Sequence, residues 1–329
     1  MDVDRTRSTC CNLDGTLTQN GSMRGRFAPS PTGPLHIGNL RTALAAYLST
    51  EAQGGDFIVR MEDLDPATSS RANESAQQAD LASLGIVWNR PVVRQSERFD
   101  RYRSAIAELG AGGYVYRCFC TRREIREAAS APHLEGLPEA AYPGTCRELT
   151  AVQIAAFERD GRPSALRLRT GGEQYRVDDL VAGTFVGGID DLVLQRNDGV
   201  PAYNLAVVVD DHEQGVTEVV RGDDLLPSTP RQLHVQRLLG FTSPSYRHVP
   251  LVLGADGERL AKRHGAVTMA DLQARGIGAD RLLAGLAASL GLCDHTEHVS
   301  VGELASRFAW SRVPRAPWVL DIDSFGDAV

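Results

Sequence analysis

The chain has 329 residues, of which 42% are hydrophobic and 23% are charged, and its formal net charge is −7 at pH 7. This length can bury a full hydrophobic core and predicts two or three structural units of an ordinary globular kind. No apolar run approaches the ~18 residues of a membrane span, so we expect no membrane segment. Six cysteines in a chain of this length are not typical of a secreted disulfide scaffold. The negative charge argues against general nucleic-acid affinity but leaves local basic patches open.

The first 22 residues differ from the rest of the chain. They are polar, they lack any hydrophobic periodicity, and a second methionine, Met23, follows them directly. They also lack the apolar stretch of a signal peptide. We interpret residues 1–22 as a disordered extension or an upstream start site, and we expect a cytoplasmic protein.

Residues 26–48 read RFAPSPTGPLHIGNLRTALAAYL, which predicts a short strand, a Pro/Gly-rich turn and a helix. Pro34 suits the first helical turn, where its missing N–H costs nothing. One helix face is apolar at a 3.6-residue period and comprises Ile37, Leu40, Leu44, Tyr47 and Leu48. A helix N-terminus after a strand, with His36 one turn in, predicts a phosphate site. The alternative is an ordinary core helix with a buried structural His36.

The next elements alternate between strand and helix. Residues 57–61 predict a buried strand that ends in carboxylates at Glu62, Asp63 and Asp65, and helices are expected at 69–84 and 99–111. Such alternation predicts a parallel sheet with the site at the carboxyl ends of its strands.

Residues 112–190 break this rhythm and predict an insertion. Here Cys118 and Cys120 form a C-x-C pair, and Tyr142 and Cys146 follow after 21 intervening residues. Three thiolates and a phenolate can hold a tetrahedral zinc ion, although C-x-C is tighter than the usual knuckle spacing. The alternative is three reduced structural thiols. His133, in the loop between them, is a candidate substitute ligand.

The alternation resumes in residues 191–255, which predict two apolar strands around a helix. Tyr203 and Arg221 lie beside these strands. Residues 257–268, GERLAKRHGAVT, then form a glycine-flanked basic loop, followed by short helices. Lys262 in this loop is the only lysine among 35 basic residues. A compact ammonium on a flexible stem can follow a phosphate through a reaction, which a planar guanidinium cannot do as well. The alternative is a solvated basic turn.

Two of these segments resemble a known family. Residues 26–48 resemble the first signature of class I aminoacyl-tRNA synthetases, in the form of the glutamyl branch. The basic loop resembles the second signature, the KMSKS loop, with Lys262 at its phosphate-contacting lysine. Arg259 and Ala261 depart from the usual lysine and serine. The resemblance covers about residues 24–270.

The resemblance implies an α/β fold of the class I synthetase type. A Rossmann-like parallel sheet would be split into residues 23–111 and 191–255, with an inserted α+β, zinc-bearing acceptor-side subdomain at 112–190. Residues 256–329 would hold the KMSKS-like loop and a short helical C-terminal remnant. The short relatives in this branch share the Cys, Cys, Tyr, Cys pattern, which favours one structural zinc ion.

The resemblance also implies site residues. The expected glutamate-binding set is Arg26, Ala28, Ser30, Glu62, Tyr203 and Arg221. The expected ATP-binding set is Pro29, Thr32, Gly33, His36, Gly38, Asn39 and Lys262, with His36 and Lys262 as the catalytic pair. Arg26, Tyr203 and Arg221 would meet the side-chain carboxylate of glutamate, and Glu62 its α-amino group. Each of these residues taken alone is as well explained by a salt bridge or a core edge.

The implied reaction joins glutamate and ATP, with Mg²⁺, to give glutamyl-adenylate and pyrophosphate, and then transfers glutamate to RNA. Only 67 residues follow Lys262, too few for a large anticodon-binding region. This resembles the shortened, glutamyl-queuosine members of the branch, whose acceptor is the queuosine base of tRNA(Asp). One alternative is a minimal glutamyl-tRNA synthetase that charges a 3′ end. The other is a noncatalytic paralogue that binds tRNA or glutamate. No stable protein partner is expected.

Overall fold

The computed structural model describes residues 22–129, 141–258, 267–322 and 325. The N-terminal extension, His133 and the segment with Arg259, Ala261 and Lys262 therefore lie outside the described residues. The predicted parallel sheet is confirmed: five strands pair in the order β10-β9-β1-β2-β3, all parallel. None of the helices in these ranges is both long and apolar enough to cross a membrane.

The bounds of the elements follow the chain. The strands are β1 Arg24–Phe27, β2 Asp56–Met61, β3 Asn89–Arg94, β4 Val115–Cys118, β5 Ala165–Leu168, β6 Gln174–Asp179, β7 Gly183–Gly188, β8 Val193–Gln195, β9 Glu218–Gly222, β10 Ser245–Val249, β11 Val252–Leu253 and β12 Trp318–Val319. The helices are α1 Ile37–Ala52, α2 Arg71–Ser83, α3 Phe99–Ala111, α4 Arg122–Ala129, α5 Ala151–Arg159, α6 Tyr203–Glu213, α7 Thr229–Leu238, α8 Met269–Ala274, α9 Ala279–Ser289 and α10 Val301–Arg307.

The first half of the sheet follows the predicted alternation. The apolar face of α1 is buried and packs on β1 and β9, which places the N-terminus of α1 at the carboxyl end of β1. Helix α2 is two residues shorter at its start than the predicted 69–84, because Ser70 caps it by accepting the Asn73 N–H at 3.1 Å. Burial of the apolar stripe thus orients the signature turn towards the strand ends.

The inserted region forms antiparallel sheets. Strands β4, β5 and β8 make one sheet, and β6 and β7 make a hairpin. Strand β8, which the sequence suggested as part of the second Rossmann half, pairs with β5 instead. The hairpin packs on α7 and β10, so the insertion contacts the parallel sheet beside Arg221 on β9.

The C-terminal helices pack on α1. Buried Arg41 of α1 donates from Nη1 to the Pro250 carbonyl at 2.8 Å and from Nε to Ser289 Oγ at 2.9 Å. Trp310 Nε1–H donates to Ser49 Oγ at 3.0 Å. Strand β12 pairs in parallel with β11, which begins two residues after Pro250. The described tail is therefore part of the main core and supports the helix that carries the signature turn.

Candidate active site

A cavity of about 590 Å³ lies at the carboxyl ends of β1, β2 and β9. All the predicted glutamate and ATP residues except Lys262, which lies outside the described residues, line it: Arg26, Ala28, Pro29, Ser30, Thr32, Gly33, His36, Gly38, Asn39, Glu62, Tyr203 and Arg221. The chain thus brings segments more than 190 residues apart to one opening. Concave sites of this size at such strand ends are typical of substrate-binding clefts.

The helix at the cavity begins later than the sequence suggested. We expected Pro34 in the first turn and His36 one turn in, but α1 starts at Ile37 and His36 is its N-cap. The reason is a capping box. The Asn39 N–H donates to His36 Nδ1, and the His36 N–H donates to Asn39 Oδ1, both at 3.3 Å. The imidazole satisfies the helix end, so the helix cannot begin before it.

This cap changes which donors face the cavity. The Ile37 N–H already donates to the Val267 carbonyl at 2.9 Å, and the Asn39 N–H is used by the cap, whereas neither contact uses the Gly38 N–H. Because Nδ1 of His36 accepts, the neutral ring carries its proton on Nε2. Burial lowers the pKa of His36 and favours that neutral form. A Cβ on Gly38 would lie 2.9 Å from the His36 ring, so a larger residue there would require the capping imidazole to move.

The cavity wall also carries charged side chains and one phenol, and of these Arg26 and Arg221 are buried. We call Arg26, Glu62, Tyr203 and Arg221 the charged pocket. Arg26 donates from Nη1 to the Val220 carbonyl at 2.9 Å, and its Nε lies 3.6 Å from Asp211 Oδ1. Burial lowers the pKa of Arg26, while Asp211 raises it. A cation that is buried with a single carboxylate at this distance favours a second anion from a ligand.

Arg60 lies behind this wall and is fully buried. It contacts Asp211 at 2.8 Å, Glu62 at 3.3 Å and Asp210 at 3.6 Å. Burial would lower the pKa of Arg60, but the three carboxylates raise it above its usual value. Arg60 therefore stays charged and compensates the buried carboxylates, leaving Arg26 less fully paired.

Glu62 and Tyr203 both line the cavity, and the two side chains interact electrostatically. Burial raises the pKa of Glu62 to about 6, against the opposing charges of Arg60 and Arg26. Burial also raises the pKa of Tyr203 to about 12, and the Glu62 charge adds to this shift. The Glu62 N–H donates to the Pro29 carbonyl at 2.9 Å, which ties the end of β2 to the signature turn. At neutral pH the pocket thus presents one carboxylate and a neutral phenol.

Sequence reasoning missed the residue that holds the signature turn. Buried Gln77 of α2 donates from Nε2 to the Gly33 carbonyl at 2.7 Å and to the Ser30 carbonyl at 3.1 Å. The position of Gln77 in the sequence could have indicated its role. Glu74, Gln77 and Leu81 lie on one face of α2 and are all buried. A glutamine on the inward face of a helix needs polar partners.

The four predicted metal ligands also come together, and we call Cys118, Cys120, Tyr142 and Cys146 the cysteine cluster. The three sulfurs lie within 4.8 Å of one another, with Cys120 Sγ and Cys146 Sγ 3.4 Å apart. Tyr142 Oη is 3.3 Å from Cys118 Sγ and 3.7 Å from Cys120 Sγ. Zn–S bonds of 2.3 Å in a tetrahedron put sulfurs about 3.8 Å apart, so this donor set fits zinc.

Two charged residues connect the cysteine cluster to its surroundings. Buried Arg167 places its guanidinium carbon 3.7 Å from the centre of the Tyr142 ring. Burial would raise the pKa of Cys118, but hydrogen bonds with Tyr142 and Arg167 lower it overall. Asp190 accepts the Tyr142 N–H at 2.9 Å and the Arg231 Nε–H of α7 at 2.8 Å. The cluster is thereby fixed to the helix that flanks the charged pocket.

Comparison with known proteins gives the class to which this fold and site belong. Residues 22–326 match the family model of tRNA synthetases class I (E and Q), catalytic domain. The chain belongs to this family, and is therefore an aminoacyl-tRNA synthetase-type ligase.

Individual relatives within this family are similar to the chain over most of its length. A glutamyl-Q tRNA(Asp) synthetase of Nocardia farcinica is 53% identical over 299 residues, 90% of this chain and 92% of that protein. One of Symbiobacterium thermophilum is 47% identical and covers 89% of this chain and 94% of that protein. A crystal structure of a glutamate tRNA ligase from Elizabethkingia meningosepticum superposes with a TM-score of 0.79 at 27% identity, over 93% of this chain and 68% of that one.

Proposed function

We propose that the protein activates L-glutamate with ATP and transfers the glutamyl group to the queuosine base in the anticodon of tRNA(Asp). One observation carries the activation step. The cavity combines two buried arginines and the Glu62 carboxylate, whose side chain is 8% exposed, with a helix N-terminus that is preceded by the class I signature turn. The charged wall suits an amino acid with an anionic side chain, and the helix end suits phosphate.

Glutamate recognition follows from the charges. Arg26 and Arg221 pair with the side-chain carboxylate, Tyr203 donates to it, and Ala28 and Ser30 line the space beside it. Ionised Glu62 accepts from the α-ammonium group, because its pKa of about 6 leaves it charged at neutral pH. Glutamine would leave the two guanidinium groups unpaired in a buried site, which is a strong basis for discrimination.

The other end of the cavity holds ATP. Pro29, Thr32, Gly33 and Asn39 shape the turn, while His36 Nε2–H and the Gly38 N–H donate to phosphate oxygens. The glutamate α-carboxylate attacks the α-phosphorus, the bond to the leaving pyrophosphate breaks, and Lys262 follows the departing charge. Mg²⁺ enters with ATP as part of the substrate. Catalysis then rests on positioning and charge stabilisation, without a protein nucleophile.

The cysteine cluster holds one structural zinc ion in this proposal. Cys118, Cys120, Tyr142 and Cys146 supply three thiolates and a phenolate, and His133 is not needed for four ligands. The ion links the C-x-C strand end to the segment at Tyr142, beside the small apolar cluster that includes Phe119 and Phe157. We assign it no part in the reaction.

The acceptor is the second step of the proposal. Its support is the similarity to two proteins named for tRNA(Asp), over nine-tenths of their length. Extruded anticodon-loop bases are the usual targets of single-stranded RNA recognition, so the wobble base can reach the adenylate. Such an enzyme works in the cytoplasm with no stable protein partner. The structural likeness to a glutamate tRNA ligase favours the rival acceptor, a tRNA 3′ end.

Transfer assays distinguish these acceptors. Labelled glutamate should enter tRNA from a normal strain, and nuclease digestion should place it on the modified base. Incorporation should fall to background with tRNA from cells that cannot make queuosine. Undiminished incorporation into that tRNA, with label at the 3′ adenosine, would instead establish a minimal glutamate-tRNA ligase. Absence of adenylate formation in every assay would support the noncatalytic alternative.

A further inference from the structure

We propose that His248 is a positioning residue for Arg221, and that it fixes the guanidinium group so that two of its N–H groups face the substrate side chain. His248 lies on β10, is fully buried, and is not among the residues that line the cavity. The inference rests on the proposed function, because it concerns how the charged pocket recognises an anionic side chain. It adds a residue for which the signature motifs give no hint.

Arg221 is held on three sides by side chains. Its Nε–H donates to His248 Nε2 at 3.0 Å, one Nη1–H to Gln232 Oε1 at 2.8 Å, and one Nη2–H to Thr229 Oγ1 at 2.8 Å. The guanidinium carbon lies 5.3 Å from the centre of the Tyr246 ring. Of five N–H donors these contacts use three and leave one hydrogen on each terminal nitrogen. A carboxylate can accept one hydrogen from each terminal nitrogen in a bidentate contact, which is the pairing that we assign to the substrate side chain.

The orientation of Arg221 requires an acceptor at Nε, and Asp179 makes His248 that acceptor. Asp179 Oδ2 lies 2.8 Å from His248 Nδ1 and also accepts the His248 backbone N–H at 2.9 Å. The other oxygen, Oδ1, accepts the Val181 and Ala182 N–H groups, both at 2.8 Å. A carboxylate with these four bonds can only accept, so the imidazole proton must sit on Nδ1. Nε2 then carries a lone pair, which faces the Arg221 Nε–H at 3.0 Å and the Thr229 hydroxyl oxygen at 3.3 Å.

A charged imidazole would reverse this arrangement. With protons on both nitrogens, His248 would direct an N–H at the Nε–H of Arg221, and two donors would face each other. Burial lowers the pKa of His248, the hydrogen bond to Asp179 opposes this, and the positive charges of Arg221 and Arg26 lower it further. The net shift is downward, which agrees with the neutral, Nδ1-protonated ring that the contacts require.

The same chain of contacts reaches the inserted region. Asp179 ends β6 of the inserted hairpin, His248 lies on β10, and Arg221 lies on β9. Paired strands β9 and β10 place Arg221 opposite His248 in register. The hairpin therefore sets the proton position on His248, and His248 sets the direction of the charged group in the cavity.

Two variants separate the positioning role from simple packing. His248→Gln keeps an acceptor near the Nε2 position but loses the donor to Asp179. His248→Asn keeps a donor near the Nδ1 position but loses the acceptor for Arg221. The assay is glutamate-dependent ATP–pyrophosphate exchange, with KM for glutamate and for ATP measured separately and the melting temperature recorded for each protein.

We expect His248→Asn to raise the KM for glutamate about tenfold or more, the usual effect of removing one hydrogen bond to a charged group. The KM for ATP should stay within about twofold, because His248 does not line the cavity. His248→Gln should recover most of the glutamate KM at a similar melting temperature. Equal glutamate KM in the two variants, or losses that simply follow melting temperature, would overturn the positioning role.

A spectroscopic measurement checks the proton position in the parent protein. Long-range ¹H–¹⁵N correlation spectra of histidine-labelled protein should show His248 as the neutral Nδ1–H tautomer at pH 7. An Nε2–H tautomer or an imidazolium would contradict the inference. If the parent protein gave no glutamate-dependent exchange at all, the proposed function would fail. If the parent showed normal exchange and His248→Asn had the parent KM for glutamate, the role of His248 would be contradicted while the proposed function would stand.

Discussion

The charged pocket takes its residues from four segments spread between positions 26 and 221, whereas the cysteine cluster takes its ligands from two short segments between positions 118 and 146. Each charge in the pocket depends on a further buried partner: Asp211 beside Arg26, Arg60 beside Glu62, and His248 beside Arg221. In the cluster, by contrast, the Tyr142 hydroxyl and the three thiols contact one another, and apolar side chains pack around them. The pocket is suited to binding a charged ligand, and the cluster to holding an ion that stabilises its own region.

This contrast predicts different consequences for variants. Changes at the phosphate end or in the charged pocket should reduce catalysis with little effect on metal content. Changes in the cysteine cluster should remove the metal with little effect on glutamate activation. No residue of the cysteine cluster lines the cavity. A single variant that lost both the metal and glutamate activation would therefore contradict this separation of the two sites.

The largest effect is expected at Lys262. Lys262→Ala should lower the rate of glutamyl-adenylate formation by about 10²–10³, the usual loss for one transition-state donor. The physical reason is that a flexible ammonium follows the charge on pyrophosphate as it departs. Lys262→Arg is the matched control, because it keeps the positive charge on a planar, less adaptable guanidinium group. Its rate should lie between those of the parent and the alanine variant. Exchange by the alanine variant near the parent rate would rule out the assignment.

The next largest effect is expected in the charged pocket. Arg26→Ala and Arg221→Ala should each lower kcat/KM for glutamate by about 10- to 150-fold, because each removes a charge-assisted contact of about 1.5–3 kcal/mol. The KM for ATP should be nearly unchanged. Steady-state exchange with each substrate varied in turn measures both constants. Two variants with the parent kcat/KM for glutamate would place amino-acid recognition outside this cavity.

The dependence on pH should separate Glu62 from the arginines. The pKa of Glu62 is raised to about 6, so the side chain is ionised above that pH and protonated below it. Protonation removes the anion that pairs with the α-ammonium group, and kcat/KM for glutamate should fall about tenfold per unit below pH 6. Glu62→Gln should give lower activity with a flat profile over this range. A parent profile that stays level down to pH 5 would argue against this role.

The smallest effect on activation is expected from the cysteine cluster. Purified protein should contain about one equivalent of zinc, and Cys118→Ser with Cys146→Ser should abolish it. Glutamate-dependent exchange should change by less than about twofold, because the cluster is outside the cavity. Cys293→Ser is the matched control and should retain the metal. If elemental analysis of the untreated parent protein found well below one equivalent of any metal, this result would count against a zinc site at the cysteine cluster.

The sequence predicted features that depend on neighbouring residues, and it missed features that depend on contacts between distant segments. The amphipathic period of α1, the strand before Glu62 and the C-x-C pair are local patterns, and the structure has the helix, the strand and the assembled cluster. The start of α1 was wrong, because a histidine cap depends on side-chain geometry that a motif does not encode.

The supporting residues were missed for a different reason. Gln77 and His248 act through partners 44 and 27 positions away in the chain, and no spacing rule links them. A buried polar residue has a meaning only when its partner is known, and the partner is set by the sheet order and by helix packing. Sequence signatures identified residues that line the cavity, while the residues that orient them could be found only from the fold.

One measurement tests the central claim, that the charged pocket and the helix N-terminus together form a glutamate-activating site. ATP–pyrophosphate exchange is measured with the parent protein in the absence of tRNA, with glutamate, glutamine or aspartate as the amino acid. We predict robust exchange with glutamate and at least about 100-fold lower kcat/KM with glutamine, since the amide leaves the buried arginines unpaired. Equal exchange with glutamine, or no exchange with glutamate, would contradict the account.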